Sequence, residues 1–73
     1  MRVTLNRRTD TVCIYLTEYE DADVARQSSL VAHDIRGDFF FDLDKRGVLL
    51  GIQVKFAASG LPSDFLEAAE PAQ

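Results

Sequence analysis

Phe39-Phe40-Phe41-Asp42-Leu43-Asp44-Lys45-Arg46-Gly47-Val48-Leu49-Leu50-Gly51-Ile52-Gln53-Val54-Lys55-Phe56 is the stretch that sets the fold class. Two apolar runs flank Asp44-Lys45-Arg46-Gly47, with Asp first and Gly fourth, as type I turns prefer. A hairpin is expected, and the pattern selects its register. A three-residue loop pairing Asp44 with Val48 puts Phe40, Asp42, Leu50 and Ile52 on one face. A four-residue loop pairing Leu43 with Val48 gathers Phe39, Phe41, Leu43, Val48, Leu50, Ile52 and Val54 on one face. The opposite face then carries Phe40, Asp42, Leu49, Gly51, Gln53 and Lys55. A slip of one residue turns every side chain over, so the apolar set selects the second register. Four-residue loops built on a type I turn are common in hairpins.

Outward from this hairpin the two-residue period continues. Val12, Ile14 and Leu16 alternate with Thr11, Cys13, Tyr15 and Thr17, the signature of a half-buried strand. Val3 and Leu5 alternate with Arg2, Thr4 and Asn6, and Arg7-Arg8-Thr9-Asp10 is short enough for a hairpin turn. The acidic segment Glu18–Asp23 reads as a solvated loop, 24–34 as a further strand, and Ile35–Asp38 as a turn. After Phe56 the period changes. Ala57–Gly60 reads as a turn or loose linker. Pro62 suits a first helical turn, Asp64 and Glu67 favour its positive end, and Leu61, Phe65, Leu66 and Ala69 lie at helical spacings.

The expectation is one small domain over 1–73, an α+β fold that is mainly β. Strands near 2–6, 11–17, 24–34, 38–43 and 48–56 form a five-stranded antiparallel meander, a twisted sheet or open barrel. One short C-terminal helix near 62–70 follows, with Pro71-Ala72-Gln73 frayed. Neighbouring strands are expected to pair in chain order. One nine-residue helix can hardly cover so much apolar sheet, and oligomerisation is a usual remedy for small chains. A homodimer through sheet or edge-strand contact is therefore expected.

Composition narrows the function classes. The 73 residues are 47% hydrophobic and 27% charged, as in ordinary globular domains, with a net charge of −4. Nucleic-acid backbones are bound with a surplus of Lys and Arg, so a nucleic-acid regulator using Arg2, Arg7, Arg8 and Arg36 is disfavoured. The single cysteine excludes an internal disulfide framework and a multi-cysteine zinc site. No apolar run approaches the ~20 residues of a membrane span, and no run of roughly 7–15 apolar residues follows Met1 as a secretory signal requires. A cytoplasmic location is expected.

The reactive residue types each have a plain reading beside a chemical one. Asp42-x-Asp44-x-Arg46-Gly47 has the outline of a calcium loop, but Arg46 and Gln53 occupy the fifth and twelfth ligand positions. A hairpin turn with solvated carboxylates accounts for it. His33 beside Asp34 pairs a base with a carboxylate, yet adjacent strand residues point to opposite faces. It reads as a surface or interface histidine. Cys13, mid-strand without an activator nearby in sequence, reads as a small buried hydrophobe. Arg2, Arg7 and Arg8 near Asp10, Glu18, Glu20, Asp21 and Asp23 either select a dimer register or blunt the sheet edges. Phe40 either anchors a partner or packs under the helix against Phe65. Phe40, Tyr15, Leu49 and Phe65 are the interface candidates; no residue is assigned to catalysis, a cofactor or a metal.

Asp10 before Val12-Cys13-Ile14-Tyr15-Leu16, then Phe41-Asp42-Leu43-Asp44-Lys45-Arg46-Gly47-Val48-Leu49-Leu50-Gly51-Ile52-Gln53-Val54, then Ala58-Ser59, resembles the short bacterial proteins grouped as the domain of unknown function 2283 family. The resemblance covers about residues 3–62. Asn6 and Gln53 stand where that family's pattern is acidic. The resemblance implies a small β-sheet fold and a bacterial cytoplasmic origin. Some members are encoded beside small toxin-like proteins, which implies an antitoxin-like or partner-binding role. Together these readings favour a non-catalytic protein-interaction module, acting as a homodimer or with a second small protein. The alternative is a small-ligand-binding protein or minor enzyme with a pocket between sheet and helix, using His33, Asp34, Asp42 and Cys13.

Overall fold

Alternating apolar residues generate strands wherever a neighbour can bury them. The computed structural model describes residues 1–72. In chain order they form β1 (Arg2–Asn6), β2 (Thr11–Tyr15), β3 (Arg26–Leu30), β4 (Asp38–Leu43), β5 (Leu49–Lys55), α1 (Ala57–Gly60), α2 (Ser63–Ala68) and β6 (Glu70–Pro71). A single 3-10 turn, Asp21–Asp23, lies between β2 and β3. The fold is mainly β, a six-stranded mixed open sheet with two short helices.

Strand order is β3-β4-β5-β2-β1-β6, which corrects the expected in-order meander. β2 lies beside β5 and not beside β3. The reason is chemical: Val12 and Ile14 find Val54 and Ile52 directly opposite, whereas β3 reads Arg-Gln-Ser-Ser-Leu and offers little to bury. β3 is also shorter than the expected 24–34; it ends at Leu30, and all its residues are exposed.

The β4–β5 hairpin keeps the expected faces over Phe39–Asp42 and Gly51–Val54, but not the expected partners. Phe39 pairs with Val54 and Phe41 with Ile52, so these four share one side. The ladder continues to Asp42 opposite Gly51 and then Leu43 opposite Leu49, leaving Leu50 as the extra residue of a bulge. The connecting loop is thus Asp44–Val48, one residue longer than expected, and Val48 leaves the sheet, 49% exposed. Asp44 organises the loop. Its carbonyl accepts the Gly47 N–H at 3.0 Å, and its Oδ1 accepts the N–H groups of Arg46 at 2.8 Å and Val48 at 2.9 Å. Gly47 sits at φ +82°, where a Cβ is unfavourable. Leu16, expected to point inward, lies beyond the last β2–β5 pair, Tyr15 with Gly51, and is 44% exposed.

Both helices pack on the apolar face, over β1, β2 and β5. Leu5, Val12, Val54, Ala57 and Leu66 form the core, with Val12 and Val54 wholly buried. Leu61, Phe65 and Ala69 seal it from the helical side, as their spacing predicts. The expected single helix over 62–70 is replaced by α1 and the shorter α2, with Pro62 as the N-cap. The tail expected to fray instead adds β6, parallel to β1, and the Ala72 N–H bonds the Leu5 carbonyl at 2.8 Å. Gln73 lies outside the described residues.

A four-residue helix cannot persist unaided. α1 is held by the β1–β2 turn: the Asp10 carbonyl accepts the Ala57 N–H at 3.0 Å, and Asp10 Oδ1 accepts the Ala58 N–H at 2.9 Å. Asp10 achieves this at φ +54°, a left-handed conformation that Asp and Asn tolerate better than most residues. The molecule is thin, 33 × 28 × 18 Å, with a radius of gyration of 12.2 Å. A fully wrapped domain of this length would have about 11 Å. Replacing Asp10 with Ala should lower the unfolding free energy by about 1 kcal/mol, the usual worth of a helix cap. Asp10→Asn should stay within a few tenths of wild type. Urea denaturation followed by circular dichroism reads both.

Candidate interaction surfaces

The face opposite the helices is polar, and register assembles it. Arg2, Tyr15, Gly51, Asp42 and Gln27 stand in one cross-strand row from β1 to β3. Thr4, Cys13, Gln53, Phe40 and Ser29 form the next. The segment between β2 and β3 crosses one end of the sheet and lays Tyr19 on this face. Its hydroxyl donates to Asp42 Oδ2 at 2.7 Å. Gln53 Nε2 donates to the same oxygen at 3.1 Å, and Gln27 Nε2 to Oδ1 at 2.8 Å. Asp42 is only 2% exposed.

A buried carboxylate is costly unless its oxygens are satisfied. Burial pushes the Asp42 carboxyl up, but the hydrogen bonds from Gln27, Tyr19 and Gln53 outweigh it and hold the group below its ordinary value. The same contact raises the Tyr19 phenol: burial is the largest cause, and the Asp42 bond adds to it. Gly51 makes room for this arrangement. A Cβ there would stand 2.7 Å from the Ile14 carbonyl oxygen and 2.8 Å from the Tyr19 ring.

Cations cap the aromatic rings of this face. The Arg2 guanidinium lies 4.2 Å from the Tyr15 ring centre, and Tyr15 packs against Tyr19 at 5.5 Å. Lys55 Nζ stands 5.5 Å from the Phe40 ring. Both arrangements are cation–π contacts. Cys13 is half-buried on the same face; burial pushes its thiol up, while hydrogen bonds with Tyr15 and Thr4 pull the other way. It is held as a thiol, which is a poor nucleophile.

The four interface candidates do not form one patch. Tyr15 and Phe40 lie on the polar face, under Arg2 and Lys55. Phe65 packs against the core on the opposite face, so the expected contact between Phe40 and Phe65 does not exist. Leu49 pairs with Leu43 beyond the bulge. His33 and Asp34 fall in an exposed turn after β3, apart from Asp42 and Cys13. Arg7 and Arg8 are exposed in the β1–β2 turn, at the far end of β1 from Arg2.

The sequence reading missed Tyr19 and Gln27. Tyr19 sits inside an acidic segment whose Glu18, Glu20, Asp21 and Asp23 are indeed exposed. The available signal was a lone tyrosine there, with Asp42, Gly51 and Gln53 already assigned to one face.

The apolar face is covered unevenly. Phe39 and Ile52 reach the core, but Phe41 lies outside it, and Leu30, Val31 and Ile35 are 44%, 67% and 40% exposed. Shallow open grooves flank the sheet ends, one beside Arg7, Arg8 and Pro71 and another beside Tyr19 and Leu50. Among the described residues no helix is long and apolar enough to cross a membrane.

No family model, curated protein or solved structure matches this chain significantly.

Because Asp42 ionises more readily folded than unfolded, the unfolded chain takes up its proton first as pH falls. Its stabilisation is complete above the ordinary carboxylate range, near pH 4, and is lost as pH drops through the lower folded value. Asp42→Asn should cost about 1–3 kcal/mol at neutral pH, because an amide NH2 then faces donors. It should also flatten the fall in urea midpoint between pH 5 and pH 2; an unchanged slope would show that other carboxylates carry the acid sensitivity.

Proposed function

We propose that this chain is a non-catalytic protein-interaction module of the bacterial cytoplasm, working as a homodimer or as the antitoxin-like partner of a neighbouring gene product. The observation that carries the reading is the half-covered apolar face. α1 and α2 are four and six residues long, and they lie over β1, β2 and β5. On the β3–β4 side Phe41 lies outside the core and is half-buried, and Leu30 is exposed. Apolar surface left open beside a half-covered sheet face is where soluble proteins take up partners. A single sheet with one open side gains the missing layer most directly from another protein.

The polar face supports the same reading. Asp42 is fully engaged by Tyr19, Gln27 and Gln53, and Cys13 is held protonated. The Tyr19–Asp42 bond holds the β2–β3 segment onto the sheet. The resemblance to the domain of unknown function 2283 family supplies the second class of partner, a small protein encoded nearby.

Sedimentation equilibrium of the full chain at micromolar concentration should give twice the monomer mass, or co-expression should retain the product of the adjacent gene. A monomer that also fails to retain that product overturns the reading.

A further inference from the structure

We infer that the outer edge of β3 is the site at which a second copy of this chain adds, antiparallel, so that two six-stranded sheets become one; this deepens the interaction reading above and rests on it. The two edges of the sheet are built differently. At one end stands β6, two residues long, Glu70–Pro71. It carries a charge and a residue without an N–H, both devices that discourage strand addition. At the other end stands β3, five residues long and exposed throughout. It contains no proline, lysine or carboxylate, and its ladder with β4 runs without a bulge from Arg26 opposite Leu43 to Leu30 opposite Phe39. An edge with a free row of backbone donors and acceptors, no proline and a single charge at one end is a template for another strand.

Charge argues for a second copy as that strand. The chain is acidic, with a net charge of −4, so two copies repel over most of their surfaces. No carboxylate stands between Asp23 and Asp34, and β3 carries a single charge, Arg26. Of the two edges, only β3 is free of carboxylates.

The strand is also self-complementary. Antiparallel pairing about Ser28 sets Ser28 opposite its own copy, Gln27 opposite Ser29, and Arg26 opposite Leu30. The two guanidiniums fall at opposite ends of the joint, and each aliphatic stem lies along a leucine. A two-fold axis normal to the sheet keeps both apolar faces on the same side. Leu30 of each copy, exposed at the edge in the monomer, then gains cover from the Arg26 stem of the other. The arrangement is isologous and closes at two copies.

Charge reversal at the centre tests it. Ser28→Lys and Ser28→Glu each set like charges opposite one another and should weaken self-association about 10-fold or more. Mixing the two variants in equal amounts should restore a mixed dimer of wild-type mass. In the wild-type chain, hydrogen exchange followed across a dilution series should show protection of the Arg26–Leu30 amides rising with dimer content; this readout needs no variant to fold. Dimers unaffected by either charge, or concentration-dependent protection confined to other strands, would overturn the edge-strand assignment while leaving self-association intact. A wild-type chain that stays monomeric at these concentrations overturns it too. If that monomer retains the adjacent gene product, the broader interaction reading survives; if not, both fall.

Discussion

The contact on which the rest of this molecule depends is Val12 against Val54. They are directly opposed across β2 and β5, and both are wholly buried. Each is contributed by a different hairpin. β1–β2 and β4–β5 are local structures, and a lone two-stranded hairpin is at best marginally stable in water. Joining them at β2 and β5 makes one apolar face from Val3 and Leu5 through Val12 and Ile14 to Val54, Ile52, Phe39 and Phe41. Only then do α1 and α2 have a surface wide enough to bury Ala57 and Leu66. The order of strands is thus a consequence of where the grease is, and β3, which has almost none, is left at the rim.

Much of this was legible in the sequence. The alternation in Val12–Tyr15 and Phe39–Val54 identified the faces, because side-chain direction depends only on parity along a strand. Asp44 and Gly47 marked the turn correctly for the same local reason. The exact partner of each residue was not legible. The bulge at Leu50 leaves the parity of Gly51–Lys55 intact and turns over only Leu49, so the pattern alone cannot detect it. Strand order was misread for a related cause: chain adjacency was weighed above the matching of apolar pairs. α1 escaped notice because its support, the Asp10 carboxylate, lies 48 residues away from Ala58 in sequence.

The polar face was half legible. Gly51, Gln53 and Asp42 were assigned together by parity, but the partner that makes sense of them, Tyr19, arrives from a segment with no periodicity at all. The result is a buried carboxylate held by neutral donors, with rings of the same face lying beneath Arg2 and Lys55. Polar networks of this kind are valuable when every atom is satisfied and costly otherwise. Among the described residues no buried side-chain polar atom lacks a partner.

The crossing from β2 to β3 has a kinetic side. Thr11 pairs with Lys55, so the seam between the two hairpins cannot close until most of the chain has been brought together. Each hairpin forms on the microsecond scale of local structure, but the seam requires a long loop to be closed before its contacts reward it. The protein should accordingly fold as a slow, high-contact-order chain for its size. During that search the greasy sides of both hairpins stand bare together, which makes the moments after synthesis the period of greatest exposure to misassembly.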